Sequence, residues 1–215
     1  MSFNIKNFKS NIVADGYLKN NYFEVWVQPP SFMQNSTISN VSGERGVNTS
    51  FSDMLRYRIE QVRVPGISLT SNDMRVYGIG PTQKMPYAAQ IMDTTFSVLV
   101  DRRTDIWDFW YNWVNRIFNV NGADASGNRQ PTYTTSYKED YATTMVIVIY
   151  DNTGKVVRKI NLLEAFPSAL DDIPLAWNDT QGLIRLGVAI TFTSYTTEEG
   201  EQRNNNTNSS VQITF

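Results

Sequence analysis

Alternating apolar and polar positions recur along the chain and predict a series of short strands. Residues 22–27 alternate around Phe23, Val25 and Val27 and end at two prolines. A two-residue period places successive side chains on opposite faces of a sheet, so such segments are half-buried strands. The further predicted strands are residues 55–66, 94–101, 144–151, 155–170 (with an irregular turn at Phe166-Pro167), 183–197 and 211–215. The pattern therefore predicts a mostly β (α+β) chain.

One segment follows a helical period instead. In residues 105–118 the apolar side chains recur every three or four positions, and Asp105 is predicted to cap the first turn. Two further aromatic residues widen the apolar stripe beyond what one core face needs. The candidates for the core or for a subunit interface are Trp107, Trp110, Tyr111 and Trp113. The sequence thus predicts one prominent amphipathic helix.

Glycine and proline divide the rest of the chain. Gly78, Gly80 and Pro81 interrupt the extended segment 74–87, which predicts two strands joined by a turn or an arm. No internal repeat or linker divides the sequence, so we expect a single domain over residues 1–215. Its polar or irregular parts are an N-terminal arm (1–16), long loops (31–52 and 119–140) and a polar C-terminal extension (198–215).

The absence of two residue types restricts the chemistry. The chain contains neither cysteine nor histidine, which excludes disulfides, thiol nucleophiles, Ser-His-Asp triads and most zinc sites. Asp171-Asp172 and Glu198-Glu199 are adjacent carboxylate pairs, but neighbours in an extended chain point to opposite faces. We therefore expect no enzyme activity, no metal and no cofactor.

Two short motifs and the charge balance also favour a structural role. The Gly78–Pro81 segment lacks the Lys and helix start of a phosphate loop, and Asp151–Gly154 lacks most ligands of a calcium loop. The net charge is −2, whereas proteins that grip nucleic acid usually carry a basic excess. The first residues lack the apolar core of a signal peptide and no run is long enough to span a membrane, so folding in a cytoplasm is expected.

The order of these features resembles the tail tube proteins of contractile-tailed bacteriophages over roughly residues 17–197. The segments that carry the resemblance are YFEVWVQPP, YRIEQVRVPGISL, YGIGPTQKMPY, DTTFSVLVDRR, DIWDFWYNWVNRI, TMVIVIYDNTGKVVRKINLLEAFPSAL, IPLAWND and IRLGVAITFTSY. Type VI secretion tube proteins look like relatives of this family.

The resemblance implies a β-sandwich or split barrel whose strands join into a ring barrel on oligomerisation. Homohexameric rings would stack into the inner tube of a virion tail and conduct double-stranded DNA into the host. Sheath, baseplate and tail terminator proteins would be partners. The polar positions of two predicted strands supply candidates for the lumen of such a tube, which are Thr95, Ser97, Asp101, Thr191 and Thr193.

Three alternatives remain open at this level. A baseplate tube-initiator protein would share the fold, and the long loops are compatible with that position. The abundant tryptophan and tyrosine would also suit a carbohydrate-binding β-domain. A glycosidase that uses only carboxylates needs neither histidine nor cysteine.

Overall fold

The structure, a computed structural model, describes residues 16–34, 51–75, 78, 80–118, 135–177, 182–200 and 211–213. The strands are β1 (Phe23–Val27), β2 (Ile59–Val62), β3 (Ile67–Met74), β4 (Gln83–Ile91), β5 (Thr94–Leu99), β6 (Thr143–Tyr150), β7 (Val156–Leu170), β8 (Arg185–Thr191), β9 (Ser194–Glu199) and β10 (Val211–Ile213). The helices are α1 (Ser31–Gln34), α2 (Phe51–Arg58), α3 (Asp105–Ile117) and α4 (Lys138–Tyr141). The predicted fold class, mostly β with one prominent helix, is confirmed.

Strand β7 connects the two parts of the main sheet. Its first part pairs with β6 on one side and with β9 on the other, and its last residues pair with β8. Glu164 lies between these parts with a φ of 53°, a left-handed conformation that bends a strand. The hydrogen-bonded path runs β1-β6-β7-β8-β5-β2, and β10 extends β9. Because of this bend, β7 pairs with strands in both parts of the main sheet.

The main sheet does not close into a barrel. Its terminal strands β1 and β2 do not pair with each other in the described residues. A cleft of about 630 Å³ lies where they face each other, lined by Phe23 from β1 and by Glu60 and Val62 from β2. The fold is thus a split barrel with one open seam.

Helix α3 fills the core with aromatic side chains. Trp110 and Trp113 are fully buried and stack with their rings 5.6 Å apart, and Phe109 contacts both edge-on. The indole nitrogen of Trp113 donates a hydrogen bond to the carbonyl oxygen of Tyr141 at 3.0 Å. The core also takes side chains from β1, β5, β6, β7 and β8, so the helix joins both parts of the sheet.

The predicted cap of this helix was wrong. Asp105 is the first helical residue, and the preceding Thr104 has a φ of 61° and makes no side-chain capping bond. The carboxylate of Asp101 instead accepts a long hydrogen bond, 3.4 Å, from the backbone nitrogen of Ile106. Burial, followed by the nearby charge of Asp101, raises the pKa of Asp105.

Other sequence predictions need correction. The strand predicted from Leu55 was wrong, because residues 51–58 form α2 and only residues 59–62 form the strand. Leu55 of α2 and Ile59 of β2 both lie in the core. The turn predicted at Phe166-Pro167 was also wrong, since β7 continues through both residues.

The last predicted long strand is divided. Residues 183–197 form β8 and β9, separated by a bend at residues 192–193. The bend turns Tyr195 into the core, although alternation placed it opposite the buried Val188. The predicted arm 1–16 lies outside the described residues except for Gly16, and the predicted loops and C-terminal extension are described only at their ends.

Candidate assembly surfaces

Strands β3 and β4 form a two-stranded ribbon separate from the main sheet. They pair over their whole length, with a register shift at Thr70/Ser71. Two strands were predicted within residues 74–87, and the structure has two strands over the wider range 67–91. Nearly every residue of both strands is exposed, including Leu69 at 64% and Tyr87 at 71%. A pair of strands with this little burial is marginally stable in water, so the ribbon is a candidate contact surface.

The open seam is a second candidate. The edges of β1 and β2 that face the seam have no strand partner among the described residues, and unpaired edges are templates for strands of another chain. A second hollow of about 600 Å³ adjoins the first and shares Leu18, Val64 and Ile149 with it. We call these two hollows together the open cleft.

Three of the predicted lumen residues lie together. Thr95 and Ser97 on β5 are half-buried and alternate with the buried Phe96 and Val98, so they face away from the core. Thr191 on the neighbouring β8 donates a hydrogen bond to Asp93 at 3.1 Å. Register places Ala189 and Gly187 opposite Thr95 and Ser97. Between Thr191 and Arg185, the outer face of β5 and β8 therefore carries small side chains, with the carboxylate of Asp171 lying against Gly187. We call this surface the small-residue face.

The other two predicted lumen residues lie elsewhere. Asp101 follows β5 and holds the start of helix α3. Thr193 sits in the bend between β8 and β9, where its hydroxyl donates a hydrogen bond to the carboxylate of Glu164 at 2.7 Å. Lys138 pairs with the same carboxylate. The alternation of inward and outward side chains does not extend to Thr193, because β8 ends at Thr191.

The four aromatic candidates of helix α3 divide into two pairs. Trp110 and Trp113 lie in the core, whereas Trp107 and Tyr111 are exposed at 38% and 43%. The exposed pair is one helical turn apart and so lies on one face. The sequence signal was the excess of aromatic positions over what a single core face needs.

Sequence analysis missed an ion pair that fixes helix α2 to strand β1. The guanidinium of Arg56 lies 2.6 Å from the carboxylate of Glu24 and stacks 4.1 Å from the ring centre of Trp26. Tyr150 donates a hydrogen bond to the same carboxylate at 2.7 Å. Burial alone would raise the pKa of Glu24, but the bonds from Arg56 and Tyr150 outweigh it and hold the pKa below its ordinary value. Arg56 is thus engaged within its own chain.

One carboxylate of the Asp171-Asp172 pair lies against strand β8. Asp171 lies against Gly187, so close that a β-carbon on Gly187 would overlap its carboxylate. Its backbone nitrogen donates to the carbonyl oxygen of Gly187 at 2.9 Å. Within the described ranges no three acidic residues are grouped as metal ligands would be. Likewise, none of the described helices has the length and apolar character needed to cross a membrane.

Comparison with known proteins identifies the fold. The chain is similar to a protein in the PVC sheath-tube complex of an extracellular contractile injection system, with a TM-score of 0.52, 14% identity and coverage of 92% of this chain and 99% of that chain. It is also similar to a protein in the PVC sheath/tube terminator, with a TM-score of 0.54, 14% identity and coverage of 86% and 98%.

A protein in the baseplate of the anti-feeding prophage aligns with a TM-score of 0.54 and 8% identity, over 86% of this chain and 97% of that chain. No curated protein sequence matches. The sequence model of the phage tail tube protein family matches residues 18–198. The chain therefore belongs to the phage tail tube protein family.

Proposed function

We propose that residues 1–215 form one tail-tube domain, that six copies make a ring and that rings stack into the inner tube of a contractile phage tail. The observation that carries the proposal is the open seam, together with family membership. A split barrel with unpaired edges satisfies its backbone groups when neighbouring sheets join, and closure of the ring removes the edges. The protein is then a structural, non-enzymatic component of the virion tail, folded in the host cytoplasm before assembly.

Three classes of partner accompany this role. The similar structures come from a sheath-tube complex, a tube terminator and a baseplate, which supports sheath, terminator and baseplate proteins as neighbours of this chain. Double-stranded DNA would pass through the tube without being held. A net charge of −2 per chain suits that passage, because attraction to phosphates slows a sliding duplex.

Electron microscopy tests the proposal. Negative-stain images of the purified chain are expected to show six-fold rings or tubes, which lengthen as protein concentration rises. A chain that stays monomeric at every concentration in analytical ultracentrifugation, and that antibody labelling does not find along tails, would contradict it. The likeness to a baseplate protein also keeps a tube initiator as second candidate. Label at one tail end only, in a few copies, would favour that candidate.

For the lumen we propose the small-residue face, with Thr95, Ser97 and Thr191. Small side chains offer DNA few attractive contacts, and the carboxylate of Asp171 beside Gly187 repels phosphates. The chain also has no native cysteine to complicate labelling. In assembled tubes, Ser97→Cys should react with a small maleimide but not with a maleimide carried on a protein wider than the bore. The matched control is Thr153→Cys in the exposed turn after β6, which should react with both. Equal reaction of both positions with the bulky reagent would place Ser97 on the outside.

A further inference from the structure

The buried positions of β7 shift by one residue at Glu164, from Ile160 and Leu162 before it to Ala165 and Pro167 after it. The pairing of β7 with β6 also shifts by one residue here, which identifies a β-bulge. The backbone of Glu164 is left-handed, a conformation that residues with a β-carbon rarely adopt. The bulge therefore bends β7 while apolar side chains continue to face the core.

The chain opposite β7 bends at the same place. The pairing of β7 with β9 ends at Leu163, and its pairing with β8 begins at Phe166. Between these two ladders, the facing chain bends at residues 192–193. The backbone nitrogen of Thr193 donates a hydrogen bond to the carbonyl oxygen of Leu163 at 3.1 Å, so the two bends are bonded to each other.

Three side chains meet at this double bend. The ammonium of Lys138 pairs with the carboxylate of Glu164 and donates a hydrogen bond to the hydroxyl of Thr193. The hydroxyl of Thr193 in turn donates to the same carboxylate at 2.7 Å. We call these three residues the Glu164 network. It joins the bulge of β7 both to the bend between β8 and β9 and to helix α4.

Helix α4 connects the Glu164 network to the core. Lys138 is the first residue of this helix, and Tyr141, the last, contacts Phe166 edge-on with ring centres 5.2 Å apart. The carbonyl oxygen of Tyr141 accepts the hydrogen bond from the buried Trp113. An unfavourable backbone conformation persists only where its surroundings hold it, and here α4 holds β7 at Glu164 and again two residues later.

The bend decides how the two edges of the main sheet are oriented. Along the path β1-β6-β7-β8-β5-β2, strand β7 separates β1 and β6 from β8, β5 and β2. A change of the backbone at Glu164 therefore rotates the edge of β1 relative to the edge of β2. In the proposed ring these two edges join neighbouring copies, and a ring closes only when the rotation from copy to copy completes a full turn.

We propose that the Glu164 network fixes the bend of β7 and so sets the number of copies in a ring. The inference rests on the proposed tube function, because it requires rings that close. Glycine at position 164 would adopt the left-handed conformation without strain, but it could not bond to Lys138 and Thr193. Glutamate has the less favourable backbone and supplies the carboxylate that holds the bend. Lys138 and Thr193 are thus positioning residues for assembly.

Counting the copies in rings tests the inference. Class averages of negatively stained wild-type rings should show six-fold symmetry alone, whereas Lys138→Met, which removes the ammonium, should give rings of several sizes or open arcs. Lys138→Arg can keep both bonds and should restore the six-fold ring. The matched control is Lys155→Met, the same change in the exposed connection between β6 and β7, which should leave the ring unchanged. Both Met variants should melt within about 4 °C of the wild type, because an exposed ion pair contributes little stability.

Spin-label distances measure the bend itself in the monomer. Because the native chain has no cysteine, labels at Thr153→Cys and Ser97→Cys report the separation of the β6–β7 turn from β5, across the bend. Pulsed electron paramagnetic resonance should give one narrow distance distribution in the otherwise wild-type chain. The same labels combined with Lys138→Met should give a broader distribution.

Six-fold rings alone in Lys138→Met would overturn the inference and leave the tube function intact. Arcs or missing rings in that variant, combined with an unchanged distance distribution, would overturn it too, because the bend would not be what had changed. If the wild-type chain forms neither rings nor tubes, the tube function and the control of copy number are overturned together. The distance distributions still show separately whether the Glu164 network holds the bend.

Discussion

Helix α3 and the β3–β4 ribbon both present large apolar side chains, but they differ in what covers them. On the helix, Trp110 and Trp113 are fully buried among strands of the same chain. On the ribbon, Leu69 and Tyr87 remain mostly exposed, and within the described part of the chain the two strands pair only with each other. We therefore expect the stability of the single chain and the proposed assembly of copies to depend on separate groups of residues. Substitutions in the two regions should affect different measurements.

The largest loss of stability is expected for Trp110→Ala. Removing a fully buried tryptophan leaves a cavity beside Trp113 and costs about 3–5 kcal/mol in the free energy of unfolding. Trp107→Ala, on the exposed side of the same helix, should cost under about 1 kcal/mol. Chemical denaturation, at a concentration where ultracentrifugation shows monomers, measures both. Similar costs for the two variants would contradict the burial assigned to this helix.

The next comparison is between Gly200, at the end of β9, and Gly66, just before the ribbon. A β-carbon on Gly200 would lie 1.7 Å from the backbone oxygen of Val156, so the strands must shift. On Gly66, just before the ribbon, it would lie 3.6 Å from the sulfur of Met92, an ordinary contact. We expect Gly200→Ala to cost about 1–3 kcal/mol and Gly66→Ala less than about 0.5 kcal/mol. A reversed order in thermal melting would contradict the packing of β7 against residue 200.

Arg56→Met should cost about 1–2 kcal/mol, because it removes an ion pair and a cation–π contact while keeping an unbranched apolar stem. The effect depends on pH. The pKa of Glu24 is lowered by its bonds to Arg56 and Tyr150, so this stabilisation is present above the ordinary pKa of a glutamate. It is lost as the pH falls through the lowered value. Denaturation between pH 7 and strong acid should show a smaller acid-induced loss in Arg56→Met than in the wild type; an equal loss would contradict the pairing.

The smallest change in monomer stability is expected in the ribbon. Leu69→Asp should alter the free energy of unfolding by less than about 0.5 kcal/mol, since the side chain is mostly exposed. It should nevertheless abolish rings and tubes, because a charge would replace the apolar contact with the neighbour. Thr70→Asp, on the opposite face of the ribbon, is the matched control and should keep assembly. Loss of assembly in both variants, or in neither, would contradict an assembly contact made through the face of the ribbon that carries Leu69.

Sequence periodicity correctly predicted the strands and the helix that keep one backbone conformation along their whole length. The apolar stripe of α3 and the alternation around Phe96 and Val98 describe the structure well, because each element keeps one backbone conformation from end to end. Residues 55–58 were wrongly predicted as a strand. Leu55, Tyr57 and Ile59 fit the two-residue period of a strand, but the spacing of four between Leu55 and Ile59 also fits a helical period. Short apolar runs do not distinguish these periods.

The candidate surfaces were predicted less completely. Thr95, Ser97 and Thr191 share a face because β5 and β8 are neighbours, and that pairing was not inferred from alternation within each strand. Thr193 lies in the bend between β8 and β9, where its hydroxyl donates a hydrogen bond to the carboxylate of the left-handed Glu164. The open cleft arises because β1 and β2 do not pair, although they lie at the ends of one path. Tertiary contacts of this kind leave no periodic signal.

Hydrogen exchange in the ribbon tests the central claim, that neighbouring copies hold what the single chain leaves uncovered. Amide exchange is followed by mass spectrometry in monomers and in assembled tubes. We predict that residues 67–74 and 83–91 exchange rapidly in the monomer and become strongly protected in tubes, whereas β6 and the first part of β7 are protected in both. Equal protection of the ribbon in the monomer and in the tube would contradict the account.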